Sequence, residues 1–501
     1  MSSVRSGRSL RAGLAALLGG LSFALAAGQA GAQVILPGVD PGPIPNPTGN
    51  SGPAFDGMAV TPRPIATPKT PEHPRMAPNG RSNIHVDAYQ TDTNLIRGPV
   101  GDTSTDSIFF AHECASITFD SKGRIVTICV GLDRPVLVLM DPVTLMPLAS
   151  YELPPRQPGA KSNPFTDFSG GGYFYLDNRD RAIMPTTTRH VYVIAQTDAP
   201  GFKVVEDYDL NGAVAPDDKL ISALPDWRGR LWFASTDGVV GWISPRSGKV
   251  HSKDLGEPIG NSFAIDERGS VYIVTDDALY RLRAKKGKVS EQWRRGYPNT
   301  GEVKSGQTQA GSGTTPTLLA GGRLVAITDN ADPVNVLAFK RAIKPRGKRL
   351  VCKRPIFDEG TSSTDQSLIG TGRSIIAENN YGYSIAATEN GGTTEGGLQR
   401  IRIGKRLRTC RTIWRSEEIA PSVVPKVSAR TGLVYTYTKP EGSAQEDPWY
   451  LTALDFRSGK TRWKRYAGDG LGFNNNYAPI TIGPKGRIYL GVLGGMVAFF
   501  P

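Results

Sequence analysis

The chain has 501 residues, 39% of them hydrophobic and 21% charged, with a formal net charge of +13. This composition excludes a membrane bundle, a collagen, a coiled coil and a small disulfide-stapled scaffold. The 58 glycines and 38 prolines suit short strands joined by tight turns better than helices.

Residues 1–32 read as a secretory signal peptide. Arg5, Arg8 and Arg11 precede an apolar stretch at 12–28, and Ala30-Gly31-Ala32 supplies a small-x-small cleavage site. The expectation is export to periplasm or medium, with a mature chain starting near Gln33. No later stretch is long and apolar enough to span a bilayer. Residues 33–80 form a Pro/Gly-rich leader, expected to be a disordered tether. The basic charge lies in runs such as 281–288 and 340–354, scattered and without interleaved aromatics. Nucleic acid is therefore not an expected partner. The runs read as a solvated rim, or more sharply as a surface attracted to anionic lipid or polysaccharide.

From 81 onward one unit recurs: a strand, a tight turn usually bearing Gly and Arg, then a second strand. Copies are ASITFDSKGRIVTI (115–128), YFYLDNRDRAIM (173–184), ISALPDWRGRLWFA (221–234), SFAIDERGSVYIV (262–274), TLLAGGRLVAI (317–327), SLIGTGRSIIA (367–377), VVPKVSARTGLVYTY (423–437) and APITIGPKGRIYLGV (478–492). Units of 40–60 residues with three or four short strands are propeller blades. The prediction is an all-β, eight-bladed β-propeller over 81–501, a single domain and a monomer, with seven blades as the alternative. The last unit has only three strands before Pro501. A strand from the N-terminal side must complete it, and SNIHVDAYQ (82–90) is the segment expected to do so.

Four cysteines in an exported chain suggest two disulfides. Cys114 and Cys129 are equidistant from the turn at Ser121-Lys122, which places them opposite each other across a hairpin. Cys352 and Cys410 then pair by elimination.

In a propeller blade, the loop leading into the innermost strand and the loop between the second and third strands open at one end of the ring. That end gathers His112, Glu113, Asp167, Asn261, Gln366, Asn474, Asn475, Asn476 and Tyr477 from the lead loops. The other loops bring His190, Asp329, Glu378, Asn379, Asn380 and Tyr381. Glu378-Asn379-Asn380-Tyr381 and Asn474-Asn475-Asn476-Tyr477, with Gln366 and Asp167, are expected to bind a small polar ligand. Glu113, Asn261, Asp329, Asn380 and Asn476 are the expected ligands of a hard cation such as Ca²⁺, which takes 6–8 oxygens. His112 and His190 are the candidates for a general base. No G-x-S-x-G elbow, Walker loop or dinucleotide fingerprint is present, so a Ser-His-Asp triad is not assigned.

The run Ala453-Leu454-Asp455-Phe456-Arg457-Ser458-Gly459-Lys460-Thr461-Arg462-Trp463 resembles the tryptophan-docking repeat of quinoprotein alcohol dehydrogenases, A-x-D-x-x-[ST]-G-x-x-x-W. Degraded copies lie at Ile243–Val250 and Leu139–Leu145. The resemblance implies the eight-bladed fold, with Trp463 packed between blades. In that family an adjacent Cys-Cys pair lies by the quinone. This chain has none, so the cofactor PQQ is disfavoured. Outer-membrane assembly scaffolds share the repeat without a cofactor, and Ca²⁺-dependent lactonases are similar in mouth chemistry on six blades. The sequence thus leaves four readings: a ligand binder, a Ca²⁺-dependent hydrolase or lactonase, a PQQ-type oxidoreductase, and an envelope scaffold with protein partners.

Overall fold

The computed structural model describes residues 41–45, 52–156, 163–443 and 445–501. The expected signal peptide, residues 1–32, and the leader residues 33–40 and 46–51 lie outside these. Eight sheets, antiparallel except where Thr93–Asn94 joins Lys426–Ser428 in parallel, follow one another along the chain, and each is a blade of one ring. Blade 1 consists of Glu113–Phe119, Ile125–Val130, Pro135–Met140 and Pro147–Glu152, and its register places Cys114 opposite Cys129. Blades 2 to 6 repeat this pattern. Their inner strands begin at Tyr175, Leu220, Ala264, Thr317 and Ile369. Blade 7 runs from Lys426 to Asp469 and is widened by Phe55–Gly57 on its outer edge.

The burial pattern explains why these strands need one another. Pro135–Met140 and Leu231–Ser235 are buried at every position, so both sheet faces must be covered. Outer strands such as Pro147–Glu152 alternate between buried and exposed, as expected of a solvated edge. The core is correspondingly distributed between blades. Ile117 and Phe119 of blade 1 share a cluster with Tyr489 and Met496 of blade 8. Val126 and Leu139 share another with Phe174 and Met184 of blade 2.

Closure differs from expectation. Blade 8 (Thr481–Ile482, Ile488–Val492, Gly495–Phe500) is completed by Ser104–Phe109, not by 82–90. Residues 81–94 instead form a plug across the axis. The Arg81 carbonyl accepts from Phe119 of blade 1, and the Ser82 carbonyl accepts from Leu176 of blade 2. Those of Ala88, Tyr89, Thr91 and Asp92 accept from Ile265, Leu318, Gly370 and Val427 of blades 4 to 7. Asn94 Nδ2 reaches Ile482 of blade 8 at 3.1 Å. Over 82–90 the segment gives carbonyls singly to the inner strands of different blades, so its apolar alternation does not make it a strand there; only its end, Thr93–Asn94, pairs along a blade, in parallel with Val427–Ser428 of blade 7.

The described part of the leader also differs from a free tether. Arg63 and Ile65 donate backbone hydrogen bonds to Thr431 and Ala429. His73 is buried with its ring 4.0 Å from that of Trp227, and Ala77 donates to Leu176. The segment follows the inner turns of the ring on the face where the plug sits.

Both predicted disulfides are present, Cys114–Cys129 and Cys352–Cys410. The second joins the outer strands of blades 5 and 6.

Candidate functional site

The plug closes the axis at the end of the inner strands, leaving a chamber at their start. Its walls include Glu113 of blade 1, Asp167, Phe168 and Tyr173 before blade 2, and Asn261 before blade 4. Asp365, Gln366 and Ser367 before blade 6, with Asn476 and Tyr477 before blade 8, complete them. Ile84 and His85 of the plug also line it. Its volume is about 70 Å³, several water molecules at most and well below the several hundred Å³ of a pocket for a drug-sized ligand.

Of the expected ligand-binding residues, Asp167, Gln366, Asn476 and Tyr477 line this chamber. Tyr477 turns into it at φ 63, a left-handed conformation that costs a non-glycine residue about 1 kcal/mol. Its ring meets Phe168 and Tyr383 edge-on at 5.4 and 5.2 Å. The other expected amides hold the surrounding backbone and loops. Asn379 holds Thr361, Ser363 and Gly396. Asn475 donates to Ala478 and Gly491, and Asn474 to Thr388. Glu378 is buried against Thr436 at 3.0 Å, and burial pushes its carboxyl well above the usual range. Tyr381 donates its amide to Asn379 Oδ1 at 3.3 Å and is not among the lining residues.

The five expected cation ligands divide similarly. Glu113, Asn261 and Asn476 line the chamber. Asp329 instead caps its own loop, accepting from Ala331 and Asn335. Asn380 is used by Asp365, Glu378 and Pro421. Among the described residues, no three His, Cys, Asp or Glu side chains are grouped closely enough to hold a metal ion by themselves. Neither expected base lines the chamber. His112 Nδ1 sits 2.9 Å from the Phe110 carbonyl, and His190 is bound at the rim by Asp207 at 2.7 Å.

Charge in the chamber is set by burial. Asp167 is ion-paired with Lys219 at 2.6 Å, which neutralises it. Glu113 has no cationic partner among the described residues and receives the Asn476 amide at 2.9 Å; desolvation raises its pKa to about 8. Asp365 takes the amide and hydroxyl of Thr308 on Oδ2 at 3.2 and 2.7 Å. Its Oδ1 is buried without a hydrogen-bond partner, and desolvation raises its pKa to about 7. Burial thus favours the protonated form of both acids that line the cavity.

The sequence reading missed Asp365, Tyr173 and His85. Asp365 is adjacent to Gln366, which was found, and position within a lead loop was the available signal. His85 has a further partner set. Its Nε2 is 3.4 Å from Ser367 Oγ, and its Nδ1 is 3.2 Å from both Asp92 oxygens. Lys426 closes on Asp92 from blade 7, while the Thr315 amide donates to Ser367 Oγ at 3.3 Å. A serine, an imidazole and a carboxylate thus stand in hydrogen-bonding sequence without a G-x-S-x-G elbow.

Fold and chamber together define an eight-bladed propeller with a plugged axis and a small axial chamber that carries polar and acidic groups on its wall. No protein-family profile matches the chain. An uncharacterized protein of Archaeoglobus fulgidus is 28% identical over 316 residues, which is 56% of this chain and 61% of that protein. The chain thus spans less than two thirds of that relative's length. Among solved structures, a europium-containing methanol dehydrogenase superposes with a TM-score of 0.50 at 10% identity, over 82% of this chain and 88% of that one. BamB from Moraxella catarrhalis gives 0.46 at 14% identity, over 84% and 96%. The resemblance to quinoprotein propellers is therefore one of fold.

Proposed function

We propose that this protein is an exported propeller that binds a small cation, or a compact cationic ligand, in the axial chamber. Glu113 and Asp365 supply the charge, and Asn261, Asn476 and Gln366 supply neutral oxygens. The observation that carries this reading is the buried, unpartnered Oδ1 of Asp365 in a chamber shared with Glu113. An isolated buried carboxylate is costly, and a cation on the axis offsets that cost. Neutral oxygens with few carboxylates suit Ca²⁺. The small volume supports an ion with its waters over a tricyclic quinone. Titration calorimetry with Ca²⁺ in buffers of different ionisation enthalpy tests the proposal. Binding should release protons at pH 6, and Asp365→Asn should abolish it. An absence of heat with Ca²⁺, Mg²⁺ and small ammonium ions alike would refute it.

The Ser367–His85–Asp92 array favours a second reading, hydrolysis of a small ester or lactone with Ser367 as nucleophile. Ser367 and His85 both line the chamber. Labelling by a small fluorophosphonate that is lost in Ser367→Ala would support this reading; an unlabelled native protein would leave the array as a clamp between the plug and blades 6 and 7.

A further inference from the structure

The face of the ring opposite the chamber carries the turns between third and outer strands. In three consecutive blades these turns are cationic. Residues 285–288 of blade 4, 341–349 of blade 5 and 404–409 of blade 6 hold eleven Lys or Arg and no Asp or Glu. The corresponding turns of blades 1 and 2 carry Asp141 and Asp198. Two runs that are separate in sequence are thus brought side by side with a third.

The blade 5 turn is built to hold its shape. Arg341 binds Glu267 through two hydrogen bonds of 3.0 and 2.7 Å. Arg349 donates to the carbonyls of Lys340, Ala342 and Ile343 and lies 4.8 Å over the Trp293 ring. These inner cations are consumed by the fold. The outer ones are not: Lys344, Arg346 and Lys348 are exposed and have no ion-pair partner among the described residues. The same holds for Lys285, Lys286, Lys405, Arg406 and Arg408. A groove of about 640 Å³ beside the turn is lined by Arg268, Arg281, Arg323, Lys340, Arg341, Lys344 and Arg346, and by no carboxylate. A second, of about 580 Å³, contains Arg228, Arg283, Lys285 and Lys286, with Glu291 its one acid. Ile343 lies between the two and lines both, half exposed at 50%.

We propose that this face docks on a membrane surface rich in anionic lipid. Charge complementarity selects an anionic partner. The spread of unpaired cations over three blades fits a plane of headgroups rather than a single phosphate. Ile343, an exposed apolar side chain among cations, finds an apolar layer just beneath such headgroups. Docking this way leaves the chamber mouth turned away from the membrane. The inference is independent of what the chamber binds.

Sedimentation of the mature protein with phosphatidylcholine vesicles, with and without phosphatidylglycerol, tests it. Binding should require phosphatidylglycerol and weaken as salt is raised. Neutralising Lys344 and Arg346 to Gln should lower partitioning roughly fivefold for each residue, and Ile343→Ser should lower it further. Lys203→Gln, on the outer strand of blade 2, should leave it unchanged. Thermal melts would verify that the variants fold. Equal binding to neutral vesicles, indifference to Lys344 and Arg346, or retention on immobilised heparin with no vesicle binding would each overturn the proposal; the last would assign the face to a soluble polyanion.

Discussion

At the residue scale, the chamber is a problem of buried acids. Glu113 and Asp365 hold protons near neutrality because burial penalises their charge. In the unfolded chain the same groups ionise near 4.5 and 3.8. Below about pH 3 both states are protonated and the groups do not affect folding. As pH rises from there to about 8, the folded protein retains protons that the unfolded chain has released. Stability must therefore fall across that window, by at most about 1.4 kcal/mol per pH unit for each group. Urea denaturation of the metal-free protein at pH 5 and pH 8 should show the decline, and Glu113→Gln or Asp365→Asn should flatten it. A stability independent of pH would contradict the assigned burial. Saturating cation should also stabilise more at pH 8 than at pH 5, since binding competes with protons. Residue type and loop position made Glu113, Asn261 and Asn476 legible in the sequence. Asp329 and Asn380 have the same types in equivalent loops, yet fold back on their own backbone or a neighbour's. Sequence pattern fixes which end of the ring a residue occupies, but not whether its side chain turns inward.

At the element scale, the turn between inner and second strands does more than reverse the chain. In blades 1 to 3 an aspartate opens the turn and an arginine opens the next strand, four residues apart. Asp120–Arg124, Asp177–Arg181 and Asp226–Arg230 are ion pairs of 2.8, 2.6 and 2.6 Å. Blade 4 has Ser270 in place of the arginine, and Arg341, from blade 5, reaches Asp266 instead at 3.2 Å. The recurring arginine is visible in the sequence; its pairing with the aspartate four residues earlier is not. Asp226 is fully buried. It accepts from the amides of Arg228 and Arg230, the Arg230 guanidinium and the Trp232 indole. Asp226→Ala strands all four donors and leaves a cation unpaired. It should cost about 3–5 kcal/mol, read as a lower urea midpoint. A loss below 1 kcal/mol would show that water replaces the carboxylate. Tryptophan docking follows the repeat more loosely than its motif. Trp414 and Trp293 donate their indoles to the Phe456 and Arg341 carbonyls of the following blades, although neither follows a complete copy. The plug was illegible for a different reason. Before its end pairs with blade 7 at Thr93–Asn94, its bonds go singly to different blades, so no periodicity marks it.

At the scale of the whole molecule, the repeat count was legible and the closing segment was not. Ser104–Phe109 alternates less cleanly than 82–90 in hydrophobicity, because as an outer strand most of its side chains are exposed or half-buried. On that edge it pairs with Gly495–Phe500 along its whole length. Without it, the last blade would expose an unpaired edge strand, and the ring would be held only by the packing of blades 8 and 1 and by the plug. Ile108 is the position to test. Phe109 donates its amide to Gly42 on the outer side. By the alternation of an antiparallel ladder, the amide of Ile108 then faces its partner Met496. Proline at 108 removes that donor in mid-strand and replaces a buried side chain. It should destabilise the protein by roughly 3 kcal/mol or more. The same substitution at the exposed strand end, Ser104→Pro, should cost less than about 1 kcal/mol. Loss of the Cys352–Cys410 bridge, by contrast, should cost about 2–4 kcal/mol, chiefly by loosening the unfolded chain, and should leave the ring closed. Hydrogen exchange separates the two cases. Ile108→Pro should expose the amides of Gly495–Phe500 to fast exchange, whereas the double serine variant should leave them protected. Equal protection in both would mean that plug and inter-blade packing suffice to close the ring.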